Sequence, residues 1–380
     1  MAGPDRPAMT GGRRGQLATS GLRPGWTTGA CATAAATAAY AALRTGEFPD
    51  PVVVRLPQGR TPGFALTRHR LERDAAGRPV AATAAVTKDA GDDPDVTHGA
   101  VVEVTVRPLP VGAGVVFRAG DGVGTVTRPG LPLTVGEPAI NPGPRRMIRD
   151  NLAAAGRPPD VEVTVGIVDG HRIATHTLNG RLGIVGGLSV LGTTGVVVPY
   201  SCSAWIDSVR LGIDVARARG LQHVAATTGS TSERTVRDLY GLPAEALLDM
   251  GDFAGAVLKH LRRHPVQRLT LCGGFAKFAK LADGHLDLHS GRSRLDPALL
   301  GRLALEAGAD AGVGAAVAGS STGLEALAIA TAAGVPLGDA VARAARTEAL
   351  RVLDGAPVRV DVVCVDRAGA VVGRCTSLGG

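Results

Sequence analysis

The stretch H-V-A-A-T-T-G-S-T-S-E-R-T-V-R-D-L-Y, His223 to Tyr240, decides the fold. His223–Thr227 is a short apolar run that suits a buried strand, T-T-G-S is a turn, and Ser232–Tyr240 reads as a helix. The rhythm continues on both sides. A helix is expected over Ser203–Arg219 before it. After it come strand Ala246–Met250, helix Phe253–Arg263, strand Arg268–Cys272 and helix Phe275–Ala282. Strands alternating with helices of this length predict a parallel sheet in a Rossmann-like layer. T-T-G-S (Thr227–Ser230) and C-G-G-F (Cys272–Phe275) then stand at the carboxyl ends of parallel strands, where open α/β sheets bind ligands.

Towards the amino terminus the pattern changes. Thr27-Thr28-Gly29 is a capping start and Ala30–Leu43 is nearly all alanine, a helix stopped by Gly46 and Pro49. Short β-type runs follow at Val52–Leu56, Val80–Val86 and Val101–Val106, the last alternating as V-V-E-V-T-V. Gly112–Pro144 reads as loops, Pro144 as the first residue of a helix over Arg145–Leu152, and Val161–Val168 with Arg172–Thr177 as a hairpin about Asp169-Gly170. Towards the carboxyl terminus, Pro297 to about Leu353 is helical and 358–374 is a hairpin. Two strands alone are marginal, so this hairpin is expected to return to the first domain's sheet. The fold class expected is mixed α+β and α/β in two lobes, one an α+β sandwich and one a Rossmann-like three-layer αβα parallel sheet. The divisions are a disordered tail at 1–20, an α+β domain at 21–145, a Rossmann-like domain at 146–292, and the helical segment with its hairpin at 293–380.

Composition narrows the function. Of 380 residues 45% are hydrophobic and 20% charged, enough for a sizeable core, while only 3% are aromatic, which argues against a base-stacking surface. The net charge of +7 comes mostly from arginine, with lysine only at 88, 259, 277 and 280, and no basic run of the nucleic-acid type occurs. Five scattered cysteines without a C-x-x-C disfavour a zinc knuckle and a disulfide framework, and no metal site is expected. There is no P-loop, no H-E-x-x-H and no dinucleotide fingerprint; G-S-S-T-G at Gly319–Gly323 follows helical sequence rather than a strand. The uncharged stretch Leu182–Ile206 holds too many Gly, Ser and Thr, with Pro199, for a membrane span. The expectation is a cytoplasmic protein that binds neither nucleic acid nor membrane.

Several strings offer backbone or charge to a ligand. W-T-T-G-A-C, with Thr27 and Thr28, opens a helix amino terminus toward a carboxylate or phosphate. R-L-G-I-V-G-G-L-S-V-L-G-T-T-G, from Arg181 through Gly186, Gly187, Thr193 and Thr194, suits close approach to a large, flat, mostly apolar ligand. The loop Lys88–Gly99 holds Asp89, Asp92, Asp93, Asp95 and His98, carboxylates and an imidazole able to supply a base. K-F-A-K-L-A-D-G-H-L-D-L-H-S gathers Lys277, Lys280, His285 and His289 after a Gly-Gly turn. Arg145, Arg146 and Arg149 are spaced i, i+1, i+4 on a helix, so two or three of them share a face.

Five blocks together, Arg23–Ala36, Val86–Gly99, Gly122–Pro142, Arg181–Gly195 and Gly273–Ser290, resemble the cobalt-precorrin-5B C-1 methyltransferase family of anaerobic cobalamin biosynthesis. They run in family order over nearly the whole chain after residue 20. The chain departs from the family's usual strings at P-Y-S-C-S (Pro199–Ser203) and T-T-G-S-T-S-E (Thr227–Glu233). The resemblance implies S-adenosylmethionine as methyl donor, a cobalt-containing ring-contracted tetrapyrrole as acceptor, and transient contact with neighbouring enzymes of cobalamin synthesis. On that reading the expected donor contacts are Thr227, Gly229, Gly273, Gly274 and Lys277. Arg145, Arg146 and Arg181 clamp the acceptor's carboxylate arms; Thr27, Thr28, Gly186, Gly187, Thr193, Thr194, Lys280, His285 and His289 complete its site. Asp89, Asp92, Asp93 or His98 takes the proton. The alternative from another class is a carrier that binds the corrinoid without changing it.

Overall fold

The computed structural model describes residues 21–155 and 159–377; the tail expected at 1–20 lies outside them. The first lobe is built on a five-stranded sheet in the order Arg68–Arg73, Pro79–Thr87, Val101–Pro108, Val161–Ile167, Val115–Ala119. All neighbours are antiparallel except the last pair, which is parallel. The alternation in V-V-E-V-T-V buries Val102, Val104 and Val106 and turns Glu103 and Thr105 outward. Against this apolar face lies the helix Thr28–Thr45, whose alanines are buried on nearly every side. Its side chains are small enough for sheet and helix Pro142–Ala154 to approach it together. Thr27 Oγ1 accepts the Ala30 N–H at 3.1 Å, and Gly46 ends the helix at φ +86°.

Three expectations for this lobe change. Val161–Ile167 is an inner strand between 101–108 and 115–119 rather than one arm of a hairpin, and Gly170–Ala174 is a short helix. Its buried valines at every second position need sheet partners on both sides, which a two-stranded hairpin does not supply. Val115–Ala119 is a strand inside the segment read as loops; glycines and prolines around it hide five residues of pattern. The helix begins at Pro142, directly after Asn141, not at Pro144. The first lobe therefore continues past the boundary expected at 145/146, and Val196–Val197 still pairs with Gly25–Trp26 in it.

The second lobe has strands in the order Leu247–Asp249, His223–Thr227, Arg268–Gly274 and Arg359–Val365, all parallel, with Val371–Cys375 antiparallel at the edge. Helix Ser230–Tyr240 covers one face, where Val236 meets Ala225, Cys272 and Val363. Helices Cys202–Ala218, Ala254–Arg263, Phe275–Ala282 and Leu337–Leu353 cover the other. This is the three-layer αβα arrangement expected. The carboxyl-terminal hairpin, however, joins this sheet and not the first. Val360, Val362 and Cys364 are buried on one face of the strand and Val363 and Val365 on the other. A run apolar on both faces needs a layer on each side, and only the second sheet has both. From the central strand 223–227 the chain passes to 247–249 on one side and then to 268–274 on the other. That reversal opens a crevice at the carboxyl ends of 223–227 and 268–274.

Candidate active site

Four segments meet at this edge of the second sheet. Gly229 and Gly274 have nothing within 4 Å of the place a Cβ would occupy, so the space above the strand ends stays open. Gly273 differs: a Cβ there would lie 2.5 Å from Thr228 Cγ2, so it serves packing. Thr227 is fully buried and its hydroxyl donates to the Leu248 carbonyl at 3.3 Å, which removes it from any ligand. Lys277 Nζ stands 3.1 Å from Asp252 Oδ1 and 3.4 Å from the Thr228 carbonyl, and is partly open to solvent. Asp249 ends its strand half-buried and accepts the Gly251 N–H at 3.3 Å. Burial raises its carboxyl above the usual range, and Glu233 pushes the same way. Sequence reasoning missed Asp249, Asp252 and Glu233; the signal available was an acid at the end of a strand some twenty residues after the glycine turn.

Arg181 does not point a free guanidinium at a ligand. It crosses from the first lobe and binds Glu233 with both arms, at 2.7 and 2.9 Å, beside the Leu247 carbonyl. Next to it Arg128 of the first lobe and Arg219 of the second share Glu245. These pairs fix how the lobes face each other.

The Lys88–Gly99 loop is chiefly a frame. Residues 23–26 run between 89–92 on one side and 195–197 on the other. Arg23 grips the Asp89 carboxylate, and with the Gly91 N–H this lowers Asp89 to about 2. Asp92 Oδ2 accepts the Arg23 backbone N–H at 2.6 Å. Lys88, 2% exposed, donates to Asp95 Oδ2 at 2.6 Å; against burial, Lys88 and Thr97 hold the Asp95 carboxyl below its usual range. Asp93 Oδ1 accepts the Tyr200 N–H at 2.8 Å. His98 Nδ1 accepts the Ala90 N–H at 3.1 Å, so its neutral ring carries the proton on Nε2. An Nε2–H is a donor, and this argues against His98 as the base expected.

The other expected residues divide. Thr27 and Thr28 are buried, and Thr27 is spent on the cap. Arg145 is consumed by the Ile140 and Pro138 carbonyls and Glu137. Arg146 lines another cleft of about 340 Å³ with Arg149, Pro132 and Leu133. Lys280 is buried, donating to the Leu288 carbonyl at 3.0 Å. Gly187 is pressed on the backbone of Gly122, whereas Gly186 faces open space. Thr194 turns to the Val196 backbone and Thr193 is exposed. His285 lies 3.5 Å from Asp283, and His289 Nδ1 accepts the Gly291 N–H. The connector 199–205 ties the two sides together. Tyr200 reaches Asp93, Cys202 Sγ accepts from Arg292 at 3.1 Å, and the Trp205 indole N–H donates to the Asp249 carbonyl at 3.0 Å.

A mixed sheet packed on an alanine helix, and a separate three-layer αβα sheet with open glycine turns at its strand ends, define an α/β protein with two cores. The chain belongs to the CbiD family. The CbiD model matches residues 16–199, and the model of the CbiD C-terminal domain matches 287–376. A protein named cobalt-precorrin-5B C(1)-methyltransferase from Rhodospirillum rubrum is 59% identical over 93% of this chain and 97% of its own. Proteins of the same name from Halorhodospira halophila and Brucella abortus are 56% and 53% identical, over 94% and 93% of this chain and 96% and 95% of theirs. A crystal structure of a cobalamin biosynthesis protein from Archaeoglobus fulgidus is similar at 28% identity, over 71% of this chain and 83% of that one, with a TM-score of 0.38.

Proposed function

We propose that this chain is a methyltransferase that adds a methyl group to C-1 of cobalt-precorrin-5B, giving cobalt-precorrin-6A in cobalamin biosynthesis, with S-adenosylmethionine as the donor. The observation that carries the reading is identity of 53–59% to proteins of that name along nearly their full length. No described helix is long and apolar enough to cross a membrane. The reading places the protein in the cytoplasm, beside the enzymes that make and use its tetrapyrrole.

The residues at the sheet edge fit an adenosyl ligand. Gly229 and Gly274 leave room for it, and Asp249 offers a carboxylate for ribose hydroxyls at the position where Rossmann-like sheets carry one. Lys277 meets the donor's carboxylate. When bound, S-adenosylmethionine supplies an electrophilic methyl on a sulfonium. The chain's own part is placement and water exclusion: the uncharged Gly183–Gly195 loop keeps the surroundings weakly polar, which favours a transition state with dispersed charge. Asp92 holds the proton that leaves the ring. Its side chain is exposed, and among the described residues its Oδ1 has no hydrogen-bond partner. Anaerobic incubation with donor and cobalt-precorrin-5B, followed by mass analysis, tests the reading. One added methyl is expected; a ring bound but unchanged would identify a carrier instead.

A further inference from the structure

Aromatic side chains are scarce in this chain, yet two of them stand in solvent five residues apart. Tyr200 is 66% exposed and Trp205 46%. Tyr200 lies just before helix Cys202–Ala218 and Trp205 in its first turn, and each is anchored from a different lobe. Asp93 Oδ1 of the first lobe accepts the Tyr200 N–H. In the second lobe the Asp249 carbonyl accepts the Trp205 indole N–H, and the ring lies against Gly251, whose Cβ would come within 3.4 Å of Cζ2.

Tyr200 also has φ +55°, a left-handed conformation unfavourable for a bulky side chain. Strain of this kind persists where surrounding contacts over-determine it, and it concentrates at ligand sites. No core contact accounts for it here, because the ring is mostly in solvent. The left-handed turn and the bond from Asp93 fix the Tyr200 backbone while its ring stands in solvent beside the carboxylate loop. Val198, half-exposed, extends the apolar surface two residues away.

We propose that Tyr200 and Trp205 form a platform for the flat apolar face of the tetrapyrrole, and that Asp93 is a positioning residue which holds Tyr200 in place. The proposal rests on the corrinoid reading above and names the surface by which the ring is held. Aromatic rings offer large, rigid contact area, and stacking on one contributes affinity of roughly tenfold. Asp93 then needs only an oxygen acceptor, not a titrating group.

The test uses the full chain under anaerobic conditions with cobalt-precorrin-5B. It measures ring binding by calorimetric titration, kcat and KM in methyl transfer, and the melting temperature. Tyr200→Gly relieves the left-handed backbone while deleting the ring. The expected result is a raised melting temperature with about tenfold weaker binding and a correspondingly higher KM. Tyr200→Phe restores binding, and Trp205→Leu weakens it about tenfold. Asp93→Asn keeps an acceptor for the Tyr200 N–H and retains kcat, whereas Asp93→Ala raises KM. Unchanged binding in Tyr200→Gly and Trp205→Leu overturns the platform, as does a lowered melting temperature in Tyr200→Gly, which would mark a structural role. A wild-type chain that fails to bind the ring overturns the corrinoid reading itself.

Discussion

Neighbouring glycines at 273 and 274 have different duties. A side chain at 273 collides with Thr228, while one at 274 enters open space with its backbone at φ −61°, which any residue adopts. Gly273→Ala is therefore expected to destabilise the protein by about 1–3 kcal/mol through overpacking. Gly274→Val leaves the melting temperature nearly unchanged but weakens S-adenosylmethionine binding tenfold or more by occupying its space. Calorimetric titration beside thermal melts separates the two, and undiminished donor affinity in Gly274→Val would move the donor elsewhere. Gly-Gly is visible in the sequence, but which glycine faces open space is not, since that depends on Thr228 reaching over from the next strand. The aspartate loop is similar. Its density of carboxylates marks it as unusual, and only the fold shows that Arg23, Lys88 and Tyr200 use most of them.

At the scale of elements, periodicity predicted the helices and parallel strands of the second lobe to within a few residues. Each strand there carries its own apolar run, and each helix its own face. One strand also carries a titrating group. His223 Nε2 lies 2.8 Å from Thr270 Oγ1, with its ring edge-on to Tyr240. Burial lowers its pKa from 6.5 to about 4, and Arg268 adds repulsion. The unfolded chain then binds a proton more readily than the folded one. The stability His223 contributes is complete above pH 6.5 and is lost as pH falls from 6.5 towards 4. Urea unfolding at a series of pH values should show that decline in the wild type and a flatter profile in His223→Gln. Equal declines in the two proteins would refute it.

Across the whole molecule, two neighbouring ion pairs join the lobes, Arg181 with Glu233 and Arg128 with Glu245, the latter glutamate shared with Arg219 of its own lobe. Both glutamates are mostly buried. Replacing them leaves guanidinium groups without a counter-charge, at a cost on the order of 1–3 kcal/mol each. Glu233→Gln with Glu245→Gln is expected to split one calorimetric transition into two, as each lobe melts on its own core. A single transition at the wild-type temperature would show that other contacts hold the lobes. Methyl transfer in the same variant should fall, because the donor edge and the carboxylate loop proposed above belong to different lobes.

Local pattern by itself determined that the chain has an alanine helix, a Rossmann-like half with glycine turns at its strand ends, and the strings that mark its family. Those features are written in residues close together in the chain. Tertiary structure alone decided that the last hairpin joins the second sheet, that Arg181 and Arg145 are spent on partners within the protein, and that Tyr200 meets Asp93 and Trp205 meets Asp249. Each of these depends on which distant surface a segment meets, and that is settled by burial on both faces of a strand and by the pairing of charges, neither of which spacing along the chain records.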